Sequence, residues 1–286
     1  MSDVRAWIEA IRPKTLPVSV AGVTAACACA LAHGCFAWPQ ALLCLTFAVL
    51  SQVASNFANE YYDFRAGLDR PGREGPRRGV TEGDITPRAM LMATYLTLAL
   101  ASAVGLSLVY WGGWLLIPAG LLIAVGAIAY SAGPYPLSHH ALGEVAVVTF
   151  FGIVPVCLTF WLMVGYMSYD VVLTSVAVGL AGANVLVVNN YRDRDDDFAV
   201  GKRTLAVVIG PAHMLELYSL NWTVAAILLF VADTGNLWIA LVVALLGQAI
   251  RRYIEGHTGH ALNPALGMTA MLTLATTIAL VIASLI

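Results

Sequence analysis

Asn59, Tyr61 and Asp63 in NEYYDFRAGLD (59–69) share a pattern with Asn189, Tyr191 and Asp193 in NNYRDRDDD (189–197). This Asn-x-Tyr-x-Asp pentapeptide occurs twice, 130 residues apart, and each copy closes a long apolar run. Positions four apart project from one face of a helix, so Asn59 with Asp63, and Asn189 with Asp193 and Asp197, form two sets of oxygen donors. Amide and carboxylate oxygens at this density suit a hard cation such as Mg2+, which keeps several waters and takes one or two carboxylates plus phosphate oxygens. No thiolate or imidazole set of the kind that selects zinc or copper accompanies them. The expected ligands of two Mg2+ ions are Asn59, Asp63, Asp69, Asn189, Asp193 and Asp197, with Asp63 and Asp193 central to catalysis. Asp195 and Asp196 are expected to point away from the Asp193–Asp197 face.

Two acidic clusters brought together repel unless cations lie between them, and such cations attract a polyanion. The stretches beyond both motifs are the most basic in the chain, and arginine binds phosphate bidentately. Arg77, Arg78, Lys202 and Arg203, with Arg12 and Lys14 of the N-terminal arm, are therefore the expected diphosphate-binding residues. A site that faces both water and an apolar bundle suits a charged head on a long apolar tail, as in a polyprenyl diphosphate. Charges at membrane borders commonly reflect topology alone; repetition of the motif at equivalent run ends argues for chemistry.

The elements that position these residues are membrane helices. Hydrophobic residues make up 59% of the 286 and charged residues 11%, against roughly a quarter charged in ordinary soluble domains. Nine apolar runs of the length that crosses ~30 Å of hydrocarbon cover about 15–33, 40–60, 89–110, 114–130, 143–164, 170–190, 214–232, 236–252 and 264–286. The fold class expected is an all-α integral membrane protein of nine transmembrane helices with two long cytoplasmic loops, about 61–88 and 191–213. Cytoplasmic loops carry excess Lys and Arg, and the N-terminal arm, these two loops and the connection after the eighth run hold all 15 basic residues. That distribution places the N-terminus inside, the C-terminus outside and both motifs at the cytoplasmic face, as in a bacterial inner membrane. The chain reads as one domain, 1–286, built of two pseudo-repeated four-helix halves and a ninth helix. Residues 3–11 read as an interfacial helix with Trp7, Ile8 and Ile11 toward lipid, and no cleavable signal peptide is expected. The five cysteines read as packing residues, with no CxxC spacing. Lipid is an expected partner and nucleic acid is not; composition leaves the oligomeric state open.

The chain also resembles the UbiA-type intramembrane aromatic prenyltransferases, whose members carry two Asp-rich motifs at the ends of the second and sixth helices. The resemblance rests on RPKTLPVSV (12–20), NEYYDFRAGLD (59–69), GPRRGVTEGDIT (75–86), YSAGPYPLSHHALGEVAVVTFFG (130–152) and NNYRDRDDDFAVGKRTLAVVIG (189–210). It is closest to the members that act on 1,4-dihydroxy-2-naphthoate in menaquinone synthesis. It implies Mg2+-dependent transfer of a polyprenyl group from its diphosphate to that ring, with decarboxylation, giving a demethylmenaquinol and diphosphate. Other acceptors of the family are 4-hydroxybenzoate, homogentisate and tetrapyrroles. The chain departs from the pattern at Glu60, where many relatives have Asp, and at Asp69, six residues after Asp63, which need not share its helical face.

Two further residues fit that mechanism. Tyr130, in a Gly/Pro-broken helix end, can offer its ring to an allylic cation or belong to an interfacial aromatic belt. Glu144, an acid just inside the fifth run, is either catalytic or a helix N-terminal cap. His139 and His140 read as interfacial. A secondary transporter is the rival reading, disfavoured because the acids cluster at one membrane face.

Overall fold

The computed structural model describes residues 4–70 and 75–286, and all its regular elements are helical. In chain order they are α1 (Val4–Ile11), α2 (Leu16–Ala32), α3 (Trp38–Arg65), α4 (Pro87–Ser107), α5 (Val109–Gly112), α6 (Leu116–Ala129) and α7 (Gly143–Val147). After a π-helical segment, Val148–Ile153, come α8 (Val154–Val164), α9 (Tyr169–Ala199), α10 (Leu205–Ala232), α11 (Leu237–Glu255) and α12 (Asn263–Ala283).

Each of the nine expected apolar runs carries a helix. Among the described residues, seven helical segments are long and apolar enough to cross a membrane, and α1 with α2, bent by 47°, makes an eighth. The fourth expected run falls short: α6 has 14 residues, about 21 Å of helix against ~30 Å of hydrocarbon.

Helix α9 is the axis of the bundle, packing against α2, α7, α8, α10 and α12. Small residues permit this. A Cβ on Gly152 would lie 2.3 Å from the Cα of Gly179, so the π segment and α9 meet backbone to backbone. Buried polar side chains join the same core: Asn221 donates to Asn184 at 2.9 Å, and Asn184 to the Tyr218 carbonyl at 3.0 Å.

Three sequence expectations need correction. The stretch 191–213 is mostly helix, because α9 runs on to Ala199 and α10 begins at Leu205, leaving a short turn at Gly201 (φ +75°). Helix α10 itself is broken at Gly210 (φ +81°), ahead of Pro211. Helix α3 likewise continues to Arg65, so the first long connection starts at residue 66. In α1, Trp7 and Ile11 do not face outward. Trp7 packs edge-on against Phe57, ring centroids 5.6 Å apart, Ile11 joins the same cluster, and Ile8 alone of the three is exposed.

Candidate active site

The two pentapeptides end α3 and α9 at the same end of the bundle, and each forms the same hydrogen-bond circuit. In the first, Asn59 Nδ2 donates to Asp63 Oδ2 at 3.0 Å, while Asn59 Oδ1 accepts from the guanidiniums of Arg12 and Arg78. In the second, Asn189 Nδ2 donates to Asp193 Oδ2 at 3.5 Å, while Asn189 Oδ1 accepts from Arg192 at 2.8 Å. Each asparagine thus relays between an arginine and the carboxylate one helical turn on. Both amide oxygens are engaged by cations of the chain itself.

Asp63 and Asp193 are buried, with side chains 2% exposed. Asp63 meets Lys202 Nζ at 3.5 Å and His139 Nε2 at 3.4 Å. Arg192, fully buried, binds both oxygens of Asp193 at 2.6 and 2.9 Å and donates to Asn263 on α12 at 2.8 Å. Asp69 comes back to the site although it lies beyond the helix: its side chain is buried and pairs with Arg78 Nε at 3.4 Å. Asp63, Asp69, Asp196, Asp197 and Lys202 line one small recess. On α9, Asp197 is buried, Asp196 half-buried and Asp195 exposed, the order that helical geometry dictates.

These groups open into a polar cleft of about 150 Å3, lined by Arg12, Asn59, Arg78, Asn189, Asp193 and Asp197 together with Lys202, Tyr130 and Glu144. Beneath it lies a larger apolar cavity of about 350 Å3 between α2, α3, α4, α6 and α8. Five residues, Gln52, Ser55, Tyr130, Val147 and Phe151, line both. They form a neck between a charged chamber and a greasy one, and Tyr130 stands at that neck rather than in an aromatic belt.

Not every expected basic residue reaches the cleft. Arg77 pairs with Asp84 at 2.6 Å, and Arg203 is exposed, its backbone bridging to His140. Lys14 is exposed beside the turn that Arg12 makes with φ +57°. None of the three lines the cleft, since neighbouring positions on an irregular backbone point in different directions; Arg73 lies outside the described residues. His139 moves the other way, from expected interface to contact with Asp63, whereas His140 stacks on Tyr135 at 3.6 Å.

Sequence reasoning missed Arg192, Ser131 and the role of Glu60. Ser131 accepts from Asn59 at 2.9 Å. Glu60, buried, accepts from the Val80 amide at 3.0 Å and so pins the connection that carries Arg78. The available signal for Glu60 and Arg192 was their place inside the motifs; adjacency gave no indication of partners so far away in the chain.

The oxygen-rich donor set fits Mg2+. Among the described residues no three His, Cys, Asp or Glu side chains converge closely enough to hold a metal unaided, as suits an ion that completes its shell with water and phosphate oxygens.

The UbiA prenyltransferase family model matches residues 20–261. The chain belongs to the UbiA prenyltransferase family. This UbiA-family chain is 35% identical over 274 residues to the 1,4-dihydroxy-2-naphthoate octaprenyltransferase of Mycobacterium tuberculosis, covering 95% of this chain and 94% of that protein. It is 37% identical over 221 residues to the Escherichia coli protein of the same name, covering 74% of this chain and 71% of that one. The apo structure of a UbiA homolog from Aeropyrum pernix K1 matches with TM-score 0.71 and 19% identity, covering 96% and 99% of the two chains. A UbiA homolog from Archaeoglobus fulgidus bound to DMAPP and Mg2+ matches with TM-score 0.66 and 15% identity, covering 96% and 98%. These structural likenesses establish the fold.

Proposed function

We propose that this protein transfers a polyprenyl group from polyprenyl diphosphate to 1,4-dihydroxy-2-naphthoate, with loss of the carboxyl group, giving demethylmenaquinol and diphosphate. The observation that carries this reading is that the charged cleft and the apolar cavity adjoin, sharing five lining residues with Tyr130 among them. A substrate with an anionic head and a hydrocarbon tail fits both ends at once. The names of the relatives support the acceptor, and the ligands of the archaeal homolog support the diphosphate and the metal.

Asp63, Asp69, Asp193 and Asp197 would hold Mg2+, and Asn59 and Asn189 steady the first and third of these carboxylates by hydrogen bonds. When bound, Mg2+ neutralises the diphosphate and so stabilises it as a leaving group. Arg78, Lys202 and Arg12 bind the remaining phosphate oxygens. The Tyr130 ring lies where positive charge would develop on the allylic carbon, and its π face stabilises that charge. The apolar walls below exclude the water that would otherwise capture the cation. In this reading the cleft opens to the cytoplasm, with nine membrane helices, the N-terminus inside and the C-terminus outside, because both motifs and all the basic stretches would then share the inner face.

The test is a purified-enzyme assay with Mg2+, a polyprenyl diphosphate and dihydroxynaphthoate, following diphosphate release and the lipid quinol. Asp63→Ala and Asp193→Ala are each expected to lower turnover by about 1000-fold or more while the protein still folds. Full activity in either variant overturns the reading.

A further inference from the structure

We propose that Gln52 and Glu144 recognise the hydroxyl groups of the aromatic acceptor. This deepens, and rests on, the reading of the cleft as a prenyl-transfer site. Buried polar atoms without partners are rare in folded proteins and call for a ligand or a water. Among the described residues, those that line the cleft fall into two sorts. Arg78 Nη1, Ser138 Oγ and Thr204 Oγ1 can all donate, and these residues line the charged chamber only. Gln52 Oε1, at the neck, and Glu144 Oε2, in the charged chamber beside it, are oxygens without a donor. Gln52 lines both cavities; Glu144 lies one turn before Val147, which also lines both. A Cβ on the neighbouring Gly143 would approach the Tyr130 hydroxyl to 3.4 Å.

The orientation of both side chains is fixed by hydrogen bonds that leave the acceptor oxygen over. Asn56 Nδ2 donates to the Ile11 carbonyl at 2.8 Å, which turns Asn56 Oδ1 toward Gln52. Gln52 answers with its Nε2 at 3.1 Å, so its Oε1 is the atom that remains. Asn190 Nδ2 donates to Glu144 Oε1 at 2.8 Å, leaving Oε2. Of the ligands this cleft would hold, ionised diphosphate has no proton to donate and a prenyl chain has no polar hydrogen. A hydroxylated ring has both a donor and a flat apolar body that fits beside Tyr130. Two unpartnered oxygens match two ring hydroxyls. A hydrogen bond from a ring hydroxyl to the Glu144 carboxylate also pushes electron density into the ring, where alkylation needs it.

The experiment compares 1,4-dihydroxy-2-naphthoate with 1-hydroxy-2-naphthoate in wild type, Gln52→Leu, Gln52→Met and Glu144→Gln, at saturating polyprenyl diphosphate. Wild type is expected to prefer the dihydroxy ring by at least about tenfold in kcat/KM, because a site built around a hydroxyl rejects the analogue that lacks it. Each folded variant is expected to raise KM for the dihydroxy ring by about tenfold and KM for the diphosphate by less than about twofold. The preference for the second hydroxyl is expected to shrink in the Gln52 or the Glu144 variants. Two substitutions at Gln52 guard against one that fails to fold, and thermal melting identifies such a variant. Turnover with an unchanged preference in folded variants at both positions overturns the inference, as does a parallel rise in diphosphate KM; either result would assign the oxygens to a bridging water. A wild type that binds polyprenyl diphosphate but prenylates no hydroxylated ring overturns the proposed function and the inference together.

Discussion

Both Asn-x-Tyr-x-Asp copies carry the same arginine-to-asparagine-to-aspartate relay, and the consequences at residue scale follow from its burial. Arg192 is fully buried against Asp193, so Arg192→Leu leaves a carboxylate without its counter-charge. Breaking a buried pair in this way costs about 3–5 kcal/mol, and a clear drop in melting temperature, with loss of activity, is the expected result. Asp197 lies on the inner face of α9, while the Asp195 side chain is 91% exposed. Asp197→Asn is therefore expected to raise the Mg2+ requirement and to cut the rate by at least about tenfold, or about 1.4 kcal/mol of transition-state stabilisation. Asp195→Asn is expected to do little, and Asp196→Asn to fall between; steady-state rates over a Mg2+ titration check the order. These acids were legible in the sequence, because spacing by four fixes direction on a helix. Arg192 was not: the residue before Asp193 should point elsewhere, and only its long side chain brings the guanidinium to both Asp193 oxygens and to Asn263, 71 positions away.

At the scale of elements, each apolar run found by hydropathy carries a helix, but hydropathy misjudged where helix ends. The polar segment after the sixth apolar run looked like loop because charge replaces hydrophobicity there. Backbone hydrogen bonding does not follow that change, and α9 extends for 31 residues, about 46 Å, with its last turns carrying the acids. The π segment Val148–Ile153 was not legible either. It coincides with the close approach of Gly152 to Gly179, and Val147 and Phe151, four residues apart, both line the neck. Gly152→Ala would place a methyl 2.3 Å from the Gly179 Cα, forcing the two backbones apart. A loss of about 1–3 kcal/mol, typical of overpacking, is expected in detergent unfolding, with activity falling as the neck shifts.

At the scale of the whole molecule, the repeated motifs belong to opposite halves of the chain and meet across one cleft, so neither half contains the site alone. The apolar cavity below it was not legible, because a void is defined by residues from helices distant in sequence. Gly120 lines that cavity, and a Cβ there meets nothing within 4 Å. Gly120→Phe is thus expected to fill space without disturbing the fold. Turnover of long polyprenyl diphosphates should fall by about tenfold while dimethylallyl and geranyl diphosphates remain substrates, as measured by kcat/KM across a chain-length series.

The neck between the two cavities has a consequence for the traffic of products. In the proposed reaction, one molecule that belongs half to water and half to oil becomes two fragments, each belonging wholly to one phase. Diphosphate, cut from its tail, has no affinity for the apolar cavity and can leave only by the charged mouth. The prenylated ring has lost its anionic groups and now partitions toward hydrocarbon. Chemistry at the neck therefore sorts its own products in opposite directions. Solubility supplies the directionality that a soluble enzyme would obtain from a moving lid.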